Sequence, residues 1–340
     1  MNSTLHLINT VIVLLIVSLV GFFSSKKVKS SEDFSLAGRK MTSIQVAGSI
    51  VATLVGGAST IGTSQLAFQK GINAMWFTIG ASLACLFLGL FLAVPLRNAE
   101  VETISEYLSK SYGEKVGVCI SLFTSIAIFV HVIGQILSSI AILNSMFNIG
   151  IIVAALITIL LVLSYIFFGG FLGTSIVGII KTVLLYITLL SSGTIIYKKI
   201  GGINGLSLNF DKEPWLNLFS DGILNGFAQG FTLVVGVAST QTYLQSMFAG
   251  KTGKSSKKGA YISALLIPPI GIACTLIGMF MKKSYPYLDA KEVLPLYILK
   301  NLNPILGGMA LAALIISVVG TGAGLILGIC TMINKGAVSK

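Results

Sequence analysis

Val55-Gly56-Gly57-Ala58-Ser59-Thr60-Ile61-Gly62-Thr63 sits in the middle of an otherwise apolar run at about 46–68. Three glycines and three hydroxyls loosen a segment that its flanks would keep helical. A bilayer supplies no water to unpaired backbone groups, so an interrupted helix survives there only where it lines a cavity or a site. A second run, about 222–245, carries Gly226-Phe227-Ala228-Gln229-Gly230-Phe231-Thr232 at its middle, five helices later. Interrupted helices at matching positions of two halves point to a secondary transporter built from inverted repeats. The alternative is that these glycines only let neighbouring helices pack closely.

The surrounding chain has the composition of a membrane bundle. Of its 340 residues, 54% are hydrophobic and 10% charged, and the mean hydropathy is +0.93. A soluble domain carries about 25% charged residues, so disordered, fibrous and ordinary soluble classes are excluded. Apolar runs at about 8–23, 46–68, 74–96, 117–146, 150–168, 172–197, 222–245, 259–281 and 305–333 predict an all-α polytopic bundle of about nine transmembrane helices. Most reach the roughly 18–20 residues that cross a bilayer. No Lys or Arg precedes the first run and no small-x-small site follows it, so it reads as a membrane helix rather than a signal peptide. The polar stretch 101–113 predicts an interfacial helix, with Thr103 and Glu106 as a capping box.

Charge sets the expected orientation. With the N-terminus outside, the inside segments 26–40, 97–115, 251–258 and 335–340 hold 14 Lys and Arg against 8 outside. That bias favours this arrangement in the plasma (cell) membrane. The net charge of +12 comes from such flanking lysines, without a basic helix or aromatic-basic platform, so no nucleic-acid partner is expected. Cys85, Cys119, Cys274 and Cys330 stand alone in apolar stretches and support neither disulfides nor a metal site. Lys251-Thr252-Gly253-Lys254-Ser255 lacks the spacing and the preceding strand of a phosphate loop and reads as a solvated loop.

Five segments then occur in a fixed order. Glu32-Asp33-Phe34-Ser35-Leu36-Ala37-Gly38-Arg39 follows the first helix, and Ala58-Ser59-Thr60-Ile61-Gly62 centres the next. Gly169-Gly170 opens the run at 172–197, Gln241 to Lys251 reads QTYLQSMFAGK, and Leu288-Asp289 through Pro295 precedes the last run. Together they resemble the sodium:solute symporter family, with its DFxLAGR signature, GG-led fifth core helix and acidic-then-proline stretch. The resemblance covers essentially the whole chain. It implies a leucine-transporter type of fold and coupling of a small organic solute to inward sodium flow across the lipid bilayer.

On that pattern residues 1–340 form one transporter domain: an extra N-terminal helix at 8–23, a first repeat at 46–197 and a partial second repeat at 222–333. Two core helices of the five-plus-five inverted repeat are absent, which suggests a truncated, non-transporting product or another chain supplying the missing helices. The resemblance also implies a sodium site from carbonyls of Ala58, Ile61 and Ser317 with hydroxyls at two adjacent positions. Those positions read Gly320-Thr321, so only Thr321 contributes. The family's Asp-x-x-Gln in the fifth core helix reads Gly178-Ile179-Ile180-Lys181.

Lys181 lies nine residues beyond Leu172, roughly 13 Å deep at 1.5 Å per residue. Facing lipid there costs about 2.5–3.5 kcal/mol, so it should face the protein. A fixed ammonium then stands in for sodium, making transport proton-coupled or ion-independent; otherwise the side chain snorkels to the cytoplasmic headgroups. Ser59, Thr60 and Gln229 are candidate solute contacts, as are His131 and Gln135, one turn apart on one face. His131 reads equally as a proton carrier or an interhelical hydrogen-bonding group. Trp76 and Tyr165 fall near span ends and read as interface anchors. The spans hold no acidic residue and the two histidines are far apart, so no enzyme is expected and no cofactor beyond a sodium ion. The alternative function is a membrane protein that senses solute without moving it.

Overall fold

The computed structural model describes residues 3–25, 30–147 and 149–335; Lys26, Lys27, Lys29 and Lys340 of the charge tally lie outside them. Among the described residues every regular element is helical, apart from an isolated bridge between Met41 and Gly250. The principal helices are α1 (Ser3–Ser25), α2 (Ser43–Leu54), α3 (Thr63–Lys70), α4 (Trp76–Phe87), α5 (Ile104–Tyr112), α6 (Glu114–Phe147) and α7 (Ile151–Leu185). They continue as α8 (Ser191–Ile200), α9 (Ile223–Ser239), α10 (Gln241–Phe248), α11 (Gly253–Ser284) and α12 (Pro304–Ile333).

Six stretches are long and apolar enough to cross a membrane: Thr4–Gly21, Ala58–Asn98, Glu114–Asn144, Gly170–Ile200, Gly253–Ser284 and Pro304–Ile333. The helices α9 and α10, bent by 57°, are long and apolar enough only when taken together. The two other expected runs are the shorter helices Ser43–Leu54 and Ile151–Ile166. At 12 residues, α2 is only about 18 Å long and crosses only with the helix beyond its break. The boundary between the fifth and sixth runs is Gly170, whose φ of 50° and ψ of −156° split α7. A Cβ there would lie 2.8 Å from the Phe34 ring, so the chain turns against the 31–36 helix where only glycine fits.

The first interruption lies where composition places it. Helix α2 ends at Leu54, Val55 leaves helical geometry at φ −88° and ψ 74°, and a π-turn at Ala58–Gly62 leads into α3. The second does not. Residues 226–232 are continuous helix, and the bend falls at Thr240, whose φ of −96° and ψ of 120° are extended. Gly226 and Gly230 instead make room for Trp76: a Cβ at either would come within 2.7 Å and 3.3 Å of the indole. Trp76 is correspondingly buried, with its Nε1 donating to the Leu218 carbonyl at 2.8 Å, rather than an interface anchor.

Helix α12 is the central column, packed against α1, α6 and α7. The segments counted as inside gather at one end of the bundle. Glu102 accepts from Ser35 at 2.8 Å and pairs with Lys335 at 3.1 Å, and Arg97 bonds the Gly250 carbonyl. The other end joins Lys70 to Asp221 at 2.6 Å and His6 to the Leu302 carbonyl at 3.3 Å. The capping box at Thr103 and Glu106 is present, opening α5.

Candidate functional site

A helix that stops inside a bundle leaves carbonyls without partners at its C-terminal end, and that end carries partial negative charge. At the end of α2, Lys181 meets this need. Its Nζ donates to the Ala52 carbonyl at 2.6 Å and the Val55 carbonyl at 2.7 Å. Thr321 on α12 adds a bond from Oγ1 to the Ala52 carbonyl at 3.0 Å. With 1% of its surface exposed, Lys181 is the one buried Lys, Arg, Asp or Glu among the described residues, and it does not snorkel.

The far side of the break is capped from α6. Gln135 Oε1 accepts from the Gly57 amide at 3.1 Å, supplying an oxygen to a loosened N-terminal turn. That orients its amide, so Nε2 donates to His131 Nε2 at 3.2 Å. Ser59 and Thr60 turn inward locally, both hydroxyls donating to the Gly56 carbonyl, at 3.1 and 2.9 Å. Gly56 is pinned between these groups: a Cβ would sit 2.8 Å from Thr321 Oγ1 and 2.9 Å from Gln135 Oε1.

The structure therefore brings together Lys181, Thr321, Gln135 and the break. Ala58 and Ile61 lie beyond the break, within the π-turn, where the Ala58 carbonyl accepts from Thr63 Oγ1 at 3.5 Å. The carbonyls that converge on a cationic position are those of Ala52 and Val55, which sequence reading missed. The signal was the register of the stop: carbonyls are freed before the glycine pair, not after it. The Ser317 hydroxyl donates to Ala313 in its own helix at 2.7 Å. Position 320 faces open space, with nothing within 4 Å of a Cβ built there. Sodium does not fit this donor set, because an ammonium already holds its carbonyl oxygens.

Gln229 lies apart, on α9. It lines a cavity of about 700 Å³ with Lys70, Asp221, Asn225 and Thr232, toward the end of the bundle opposite Glu102 and Lys335. No group of three or more His, Cys, Asp or Glu able to hold a metal ion occurs among the described residues.

Comparison with known proteins gives matches of three kinds, to a family model, to curated relatives and to solved structures. The model of the sodium:solute symporter family matches residues 34–336. An uncharacterized symporter of Bacillus subtilis (strain 168), YwcA, is 29% identical over 291 residues, covering 82% of this chain and 56% of its own length. This chain thus spans little more than half of that relative. A solved structure of a Na+-coupled sialic acid symporter, substrate-bound and outward-open, superposes with a TM-score of 0.84 at 18% identity. It covers 98% of this chain, which in turn covers 73% of it, and the shared architecture is the leucine-transporter type of inverted-repeat bundle. The partner chain suggested by the short second repeat finds no support in these matches.

Proposed function

We infer, from the premise that this chain belongs to the sodium:solute symporter family, that it is a secondary active transporter moving a small organic solute across the membrane. The observation that carries the inference is the break between α2 and α3. Its polar ends are capped from α6, α7 and α12, so a site forms where three helices can move against a fourth. The links among Ser35, Glu102 and Lys335 close one end, while the 700 Å³ cavity beside Gln229 opens toward the other. That asymmetry suits one state of an alternating-access cycle. The family supplies sodium as the driving ion, and Gln229, Asn225 and Thr232 offer hydrogen bonds to an entering solute.

The reading also takes the plasma membrane as the location, with the N-terminus outside, from the lysine distribution. Single cysteines at Ser255 and Asn209 should label oppositely with an impermeant thiol reagent in intact cells. Labelling of Ser255 from outside would reverse the orientation. Transport itself is tested by reconstituting the chain in liposomes and screening labelled amino acids, sugars, carboxylates and vitamins, with and without a sodium gradient. Concentrative uptake of one compound is expected. Binding by equilibrium dialysis without uptake would replace the transporter by a solute sensor.

A further inference from the structure

Backbone carbonyls at an interrupted helix, joined by a hydroxyl from a facing helix, form a seat for a small monovalent cation stripped of water. The end of α2 presents such a seat, and its occupant is covalently attached to the protein. We propose that the Lys181 ammonium is a tethered cation that permanently fills this position, so that this chain seats no sodium ion there. The proposal deepens the transport reading, on which its meaning in a cycle rests, and any sodium coupling then runs through a different position.

Close helix crossing explains how lysine reaches the seat. Helices α2 and α7 meet through Gly48 and Gly178: a Cβ at 178 would lie 2.1 Å from Ala52 Cβ, and one at 48 would lie 2.2 Å from Ile179 Cγ1. No side chain fits at 178, neither a carboxylate nor anything larger than hydrogen. One turn later, Lys181 emerges beside the α2 end, and its flexible stem carries Nζ onto both carbonyls. Helices α1, α2 and α12 and residues 171–185 contain no Asp or Glu. A sodium ion on the same oxygens would therefore lie against a like charge with no carboxylate from these helices to compensate it. Thr321 completes the seat from α12 whether the cation is tethered or free.

The test uses sodium alone, on the purified full chain in lipid nanodiscs. Binding of radioactive sodium should be greater in Lys181→Ala than in the wild type, and adding Thr321→Val should abolish the gain. The Lys181→Ala midpoint should rise more than the wild-type midpoint when sodium replaces choline, as an added ligand of the native state requires. In case Lys181→Ala does not fold, Thr321→Val in the wild-type background gives an independent reading, and its sodium binding should equal that of the wild type. Equal sodium binding by wild type and Lys181→Ala would overturn the proposal. So would a loss of wild-type sodium binding on Thr321→Val. Solute uptake is read separately: its absence would defeat the transport reading and leave the tethered cation intact.

Discussion

The two interrupted spans solve the same physical problem in different ways. Between α2 and α3, the freed groups are buried and take partners from distant helices: Lys181 and Thr321 for the carbonyls, Gln135 for the Gly57 amide. Between α9 and α10, the turn is patched locally. Ser239 and Thr240 hydroxyls bond back to the Val235 and Gly236 carbonyls, both at 2.6 Å, and both residues are accessible. Just beyond that bend, Gln241 anchors α10 to the start of α5, its Oε1 accepting from the Ile104 amide and its Nε2 donating to the Glu102 carbonyl, both at 2.9 Å. A break closed by three other helices ties their relative positions to the charge at its end, and that coupling is what a transporter needs.

The largest expected effect concerns where the second break lies. Gly226→Leu should destabilise the protein by about 3 kcal/mol, because its side chain meets the Trp76 ring in a filled space. Thermal or denaturant unfolding in detergent measures this. A neutral result would mean that residues 226–232 are loosened as their composition suggests. Next comes Lys181→Met. The two charge-assisted bonds are worth about 1.5–3 kcal/mol each, against the roughly 2.5–3.5 kcal/mol returned by no longer burying a charge. A net loss of about 1.5 kcal/mol in sodium-free buffer is expected; unchanged or raised stability would show that the lysine does not cap α2.

Smaller effects separate the two breaks further. Thr321→Val removes a buried neutral bond to a carbonyl that keeps its Lys181 partner, so about 1 kcal/mol should be lost. Thr240→Ala removes a back-bond at an accessible bend and should change stability by less than about 0.5 kcal/mol. Equal costs in these two variants, measured by the same unfolding experiment, would erase the contrast between distant and local capping.

Much of the bundle was legible in the sequence because a bilayer imposes a one-dimensional rule: apolar length decides what crosses. All nine expected runs recur as helices, two of them too short to span alone. The capping box at Thr103 was equally readable, since both partners lie within one turn. The second break was misplaced because glycine has two uses. Only the neighbour, here the Trp76 ring, tells close packing from interruption.

The candidate site divides along the same line. Sequence by itself determined that Lys181 lies deep along a span, since depth is a count of residues, and left open whether it faces the bundle or snorkels to the headgroups. It also located the break at the glycine pair, because loss of side chains weakens a helix locally. Which carbonyls the break frees, and that those of Ala52 and Val55 rather than Ala58 and Ile61 meet the lysine and Thr321, only the tertiary structure decided. The reason is distance along the chain. Lys181 and Thr321 lie 129 and 269 residues from Ala52, and only helix packing, set here by the glycine crossing at 48 and 178, brings them to one point.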